Sequence, residues 1–278
     1  MAVLCLSVIV GFSVDNTELF KQAQTYYKQQ EYPKALALLK RAGELGNAQA
    51  YVALGVLYVA DKGLPLDYPK AFGYFQKAAK MGDAQAYAKL ANMYYLGLGT
   101  ARDYTKALQH YIKAGELGYT DTYILLADMY YKGLGTDRNY SKAFEYFKKA
   151  ADLGNAKSYS MVGLMYRGGL GVAKDTQKAL EYFKKGVVLK DAKSYFHLGM
   201  SYLVGEGVGK DASQALLYFQ RSAELGDSAG YVLLGYLYVN GDGVKQDTKK
   251  ALWYFQKACR MGEQQGCQNA KKLLDFMH

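Results

Sequence analysis

Gly46, Gly82, Gly118, Gly154, Gly226 and Gly262 lie on one arithmetic series with a step of 36, interrupted only by Lys190. Two further columns keep that step: Tyr58, Tyr94, Tyr130, Tyr166, Tyr202 and Tyr238, then Ala71, Ala107, Ala143, Ala179, Ala215 and Ala251. A chain that repeats at such an interval completes the core of each unit only against its neighbours, which selects a stacked-repeat architecture. Full units run 47–82, 83–118, 119–154, 155–190, 191–226 and 227–262. Residues 17–46 form a shorter relative without the glycine insert, and 263–278 read as a lone capping helix. No linker-like segment interrupts the series, so one repeat domain over 15–278 is expected.

The unit 155–190 shows how each repeat folds. Tyr159, Val162, Gly163 and Tyr166 recur at helical spacing and predict a first helix from about Ala156 to Arg167. Gly168, Gly169 and Gly171 end it, because glycine reaches the left-handed backbone of a helix terminus. Asp175 then caps a second helix, with Asp67, Asp103, Asn139, Asp211 and Asp247 as its equivalents. A column of small residues, Gly55, Ala91, Ala127, Gly163, Gly199 and Gly235, predicts close approach of the two helices, with alanine exchanging freely for glycine. Only 3 prolines in 278 residues agree with an all-α chain. The fold class is therefore an α/α superhelix, or solenoid, of 36-residue helix-turn-helix repeats.

A formal charge of +10 suits an acidic partner, yet it is spread evenly. Lys77, Lys113, Lys149, Lys185, Arg221 and Lys257 contribute one cation per unit and read as a solvated helix face. There is no arginine-rich cluster, so nucleic acid is not expected. Residues 2–13 form an apolar run of 12, too short to span a bilayer as a helix. With small Ser13 near a cleavage point, residues 1–14 read as a signal-peptide-like segment, although no Lys or Arg precedes the run. That places the protein in the periplasm or outside the cell; a buried N-terminal segment would make it cytoplasmic.

The insert Gly97-Leu98-Gly99-Thr100, followed by Asp103, Ala107-Leu108 and Tyr111, resembles the Sel-one-like repeat, a longer relative of the tetratricopeptide repeat. The resemblance covers about 17–278 and implies antiparallel helix pairs wound into a right-handed superhelix with a concave face. The segment 257–267, KACRMGEQQGC, is similar to the cysteine-pair signature of the Helicobacter cysteine-rich proteins, in which two thiols clamp successive helices. The resemblance implies a disulfide between Cys259 and Cys267. In the repeat register Cys259 replaces a small residue and Cys267 a tyrosine, and an even pair in an exported chain suits a disulfide. Two separate buried thiols are the alternative.

No catalytic constellation is legible. His110 stands in a tyrosine column and reads as packing, His197 is alone on a first helix, and His278 is the last residue. No Ser precedes a Lys by three positions and Lys-Thr-Gly is absent, so serine β-lactamase signatures are missing. No metal site and no cofactor are expected. The glycine inserts lack the Lys-Ser/Thr ending of phosphate loops.

A second stripe on the first helices varies between units. Val52, Val56 and Val59 belong to it in one unit, Ser160, Leu164 and Arg167 in another. Tyr95, Asp128, Tyr131, Arg167, Met200 and Tyr236 are the candidate binding-groove residues, by analogy with peptide-binding tetratricopeptide proteins. Packing between first helices is the competing account. The expectation is an exported monomeric scaffold that binds a protein or peptide, with host or envelope partners. Resemblance to the cysteine-rich group implies penicillin binding or weak β-lactamase activity as an alternative, and an intracellular assembly scaffold is a third.

Overall fold

The computed structural model describes residues 15–61 and 64–277; the signal-like segment and His278 lie outside them. The chain divides into two compact units, one of the residues up to Thr122 with Leu134–Thr136, the other of Tyr123–Gly133 with the residues from Asp137 on. The first holds α1 (Asn16–Lys28), α2 (Tyr32–Glu44), α3 (Ala48–Val59), α4 (Tyr68–Lys80), α5 (Ala84–Leu96) and α6 (Tyr104–Glu116). The second holds α7 (Tyr123–Lys132), α8 (Tyr140–Asp152), α9 (Ala156–Gly168), α10 (Thr176–Val188) and α11 (Ala192–Val204). It continues through α12 (Ala212–Glu224), α13 (Ser228–Asn240), α14 (Thr248–Arg260) and α15 (Gln264–Met277). In each unit the helices pair in chain order and the pairs stack in series, the expected α/α solenoid class.

The caps explain where helices begin. Asp67, Asp103, Asn139, Asp175, Asp211 and Asp247 each accept a hydrogen bond of 2.9–3.0 Å from the amide three residues on. A second capping column, not anticipated from sequence, starts the first helices: Asn47, Asp83, Asn155, Asp191 and Asp227. Tyr119 breaks that column and cannot cap. There the chain makes a 3₁₀ turn, Thr120–Thr122, in which the Thr122 hydroxyl donates to the Tyr119 carbonyl at 2.9 Å.

Each hairpin closes on one aromatic ring. Phe75, Tyr111, Phe147, Phe183, Phe219 and Phe255 form a buried column on the second helices, opposite the column of small residues. A methyl group built on Gly55, Gly163 or Gly235 would lie 2.4 Å from the facing ring. Alanine fills the same column at Ala91 and Ala127, as expected from sequence, but where glycine stands the facing ring has moved into the space a Cβ would need and must shift to admit one.

The glycine inserts do more than end a helix. Gly99, Gly135, Gly171 and Gly243 have left-handed backbone, and a Cβ on them would come within 2.2–2.4 Å of the backbone at Tyr68, Tyr104, Tyr140 and Ala212. Each insert thus lies directly on the start of the second helix one hairpin back. Thr105, Gln177 and Ser213 reinforce the contact by donating to the carbonyls of Gly135, Gly207 and Gly243.

The repeated charges are structural or solvated. Lys70, Lys106, Lys142, Lys178 and Lys250 sit over the rings of Tyr58, Tyr94, Tyr130, Tyr166 and Tyr238 at 4.6–5.5 Å. The Lys77 column is exposed, apart from half-buried Lys257. His110 stacks on Tyr94 at 5.4 Å, where the neighbouring repeat stacks Tyr130 on Tyr146. Its burial, with Lys106 nearby, holds its pKa below the usual value, as befits a packed neutral ring.

Candidate binding surface

While the second helices supply the rings of the core, the first helices of each unit carry a stripe that varies in chemistry from repeat to repeat. In the first unit this stripe opens into a cavity of about 600 Å³ between α1, α3 and α5. Phe20, Ala23, Val52, Ala53, Val56 and Leu57 line its apolar floor. Gln24, Lys28, Gln49 and Gln85 stand exposed around it, and no acidic side chain lines it. Ala23 and Ala53 contribute the smallest side chains of the lining. The three carboxamides make no hydrogen bond to protein groups among the described residues. Amides can both donate to and accept from a passing backbone, and the floor can take an apolar side chain.

Of this cavity, sequence reasoning placed Val52 and Val56 on the variable stripe but missed the glutamines. A signal existed, since Gln49 and Gln85 stand one repeat step apart. Tyr95, also in the first unit, is half-buried and packs edge-on against Tyr104 at 5.2 Å. Its stripe neighbour Asn92 accepts the Tyr111 hydroxyl at 2.6 Å. Burial raises the pKa of that hydroxyl, so the tyrosine remains a donor.

The other five candidates lie in the second unit. Asp128 pairs with Lys132 at 2.7 Å on one helix face, and Tyr131 packs edge-on against Tyr140 and Phe147. The Arg167 guanidinium lies 5.7 Å from the centre of the Phe183 ring. Met200 is half-buried against the core cluster that holds Phe219, Leu234 and Leu237. Tyr236 is exposed, with its hydroxyl accepting from Asn269 at 2.8 Å and its ring edge-on to Phe255. Arg167, Tyr131 and Tyr236 thus rest on rings of the core column, which fixes their direction.

Cys259, in the last turn of α14, and Cys267, in the first turn of α15, are disulfide-bonded, with Cα atoms 4.5 Å apart. At the same register six repeat steps earlier, Gly43 faces the Tyr51 ring so closely that an added Cβ would lie 2.8 Å from it. The cysteine pair therefore replaces a standing contact between successive repeats. No group of three or more His, Cys, Asp or Glu among the described residues could hold a metal. No described helix is long and apolar enough to cross a membrane.

Capped helix pairs at a fixed step, rings shared between neighbours and a variable face on the first helices define a helical-repeat scaffold protein. The Sel1 repeat is matched seven times, at residues 24–47, 48–83, 84–119, 121–155, 156–187, 192–227 and 228–263, so the chain belongs to the Sel1 repeat family. No curated protein matches the chain. Among solved structures it is similar to a protective antigen present in uropathogenic Escherichia coli strains, with 30% identity and a TM-score of 0.81. That match covers 94% of this chain, which spans only 57% of the antigen's length. A Sel1 repeat protein from Oxalobacter formigenes is 27% identical, with a TM-score of 0.81 and coverage of 86% of this chain and 98% of that one. Cysteine rich protein B of Helicobacter pylori is 30% identical over 47% of this chain and 94% of its own. Its TM-score against this chain is 0.39.

Proposed function

We propose that the protein is an exported, non-catalytic scaffold whose first-unit cavity takes an extended peptide of a protein partner, with a bulky apolar side chain on the floor. The carrying observation is the open cavity between α1, α3 and α5, floored by apolar groups and edged by unengaged carboxamides. Export rests on the disulfide, since such bonds persist in oxidising compartments. Host or envelope proteins are the partners in reach of such a scaffold.

Peptide-display selection on the full chain tests the binding reading. Selected peptides should share a large apolar residue and lose at least about tenfold in affinity, or 1.4 kcal/mol, against Val56→Asp. Helical circular dichroism of the variant checks that it folds, since Val56 packs partly against the core and Ala60 stands where Lys132 pairs with Asp128. Failure to select any peptide, or equal binding to the variant, removes the cavity from the account. Thiol alkylation and mass spectrometry of protein recovered from cells test export: a blocked cysteine pair in the extracytoplasmic fraction supports it, and reduced cytoplasmic protein refutes it.

A further inference from the structure

The repeat supplies internal controls, so departures from it that the core does not need can be singled out. Arg167 stands in a column otherwise filled by Val59, Tyr95, Tyr131, Leu203 and Val239. His197 stands in one filled by Ala53, Lys89, Leu125, Met161 and Leu233. Neither side chain is required by the hairpin, yet the fold brings both to one ring. The Arg167 guanidinium on α9 and the His197 imidazole on α11 lie 5.7 and 5.2 Å from the centre of Phe183.

Their polar atoms are left without protein partners. Arg167 is half-buried and makes no hydrogen bond or ion pair among the described residues. His197 Nδ1 is the one buried side-chain nitrogen or oxygen among them that lacks a hydrogen-bond partner. The charges around them are already balanced elsewhere. Lys193, over the Phe196 ring, donates to Asp227 at 2.8 Å, and Asp227 also accepts from Ser222 and the Ala229 amide. The Arg167 guanidinium remains without a charge partner, 5.7 Å from the centre of an aromatic ring.

We propose that Arg167, positioned on Phe183 with His197 beside it, receives the carboxylate of an acidic side chain on a bound protein or peptide. A guanidinium presents paired N–H donors that match the two oxygens of a carboxylate. Resting on a ring, it loses little freedom on binding, and partial burial strengthens the pair relative to one in open water. A carboxylate arriving there also favours the protonated form of His197, whose pKa in the free protein is pulled down to about 4 by burial, Arg167 and Lys193. The site rests on the reading of first-helix faces as binding surfaces. It shares no residue with the cavity of the first unit, so either can fail alone.

The test follows the His197 ring signal of the full chain by NMR across a pH series, with N-acetylglutamate amide, its glutamine counterpart or inorganic phosphate added. The glutamate probe should shift the signal saturably and raise the titration midpoint by about half a unit or more. The glutamine probe should do neither. Arg167→Leu, a residue the fold already carries at Leu203, should abolish the response while helical circular dichroism is unchanged. An equal response to glutamine, a response that survives Arg167→Leu, or none to glutamate overturns the assignment. Tighter saturation by phosphate overturns the carboxylate specificity.

Discussion

Lys190 shows what a single residue contributes to this repeat. The glycines of its column all have φ between 85° and 94°, and Lys190 adopts the same left-handed region at 56°. A side chain there costs about 1–2 kcal/mol, partly offset by the lower entropy of a non-glycine unfolded chain. Lys190→Gly should therefore raise the urea-unfolding free energy by about 0.5–1 kcal/mol; a decrease would mean that the lysine is held by contacts of its own. His197 makes a pH-dependent contribution. Its folded pKa of about 4 lies below the reference 6.5, so the unfolded chain takes up the proton first. The stability associated with neutral His197 is complete above about pH 6.5 and is lost as pH falls toward 4, by about 3 kcal/mol in all. His197→Leu, matching Leu125 and Leu233, should flatten that part of the stability profile in urea titrations at several pH values. An unchanged slope would show that His197 is already hydrated or paired. The residues that fix backbone shape were legible from sequence because glycine and capping side chains act locally. Arg167 was legible as a candidate groove residue, but its lack of partners was not, because that depends on where α11 and Phe183 lie.

At the scale of the helix and its loop, two glycines with similar backbone separate two effects. Gly82 has φ +87° and open space where a Cβ would stand, whereas Gly99 has φ +68° and the Tyr68 carbonyl oxygen 2.4 Å from that point. Gly82→Ala should cost about 1 kcal/mol from backbone strain alone. Gly99→Ala should cost more than about 2 kcal/mol, because backbone must move as well. Equal losses in thermal or urea unfolding would remove the insert's role in docking hairpins. The sequence revealed these loops as turns, since their glycines and following caps are local signals. It did not reveal the docking, because the clashing partner lies a whole hairpin away. The first-helix caps of the Asn47 series share the step of 36 and carried a local signal too, broken only at Tyr119.

For the molecule as a whole, the disulfide is the one covalent tie among the described residues, and it secures the last hairpin to α15. Closing a loop this short stabilises by about 2–3 kcal/mol in the chain-entropy model. Reduction should lower stability by that amount and expose α15 amides to hydrogen exchange before those of α9–α12. Loss of protection throughout at once would contradict a local clamp. Cys259→Ala with Cys267→Tyr, the pairing other repeats use, should recover part of the loss without a covalent bond. The architecture was readable at this scale because periodicity survives many substitutions. The cavity was not, because it arises from space left between side chains of three helices.

The backward lean of the glycine inserts also bears on how such a chain can change length. Removing 191–226 would join Lys190 to Asp227 and bring Gly243 onto the helix start at Thr176, a seat that Gly207 already occupies. Excision or duplication in whole steps therefore creates no junction that the polypeptide has not already built, whereas a cut of any other size leaves an insert with nothing to rest on. Growth and shrinkage by copying error are thus structurally quiet here, and the variable first-helix faces can be reshuffled without redesigning what lies beneath them.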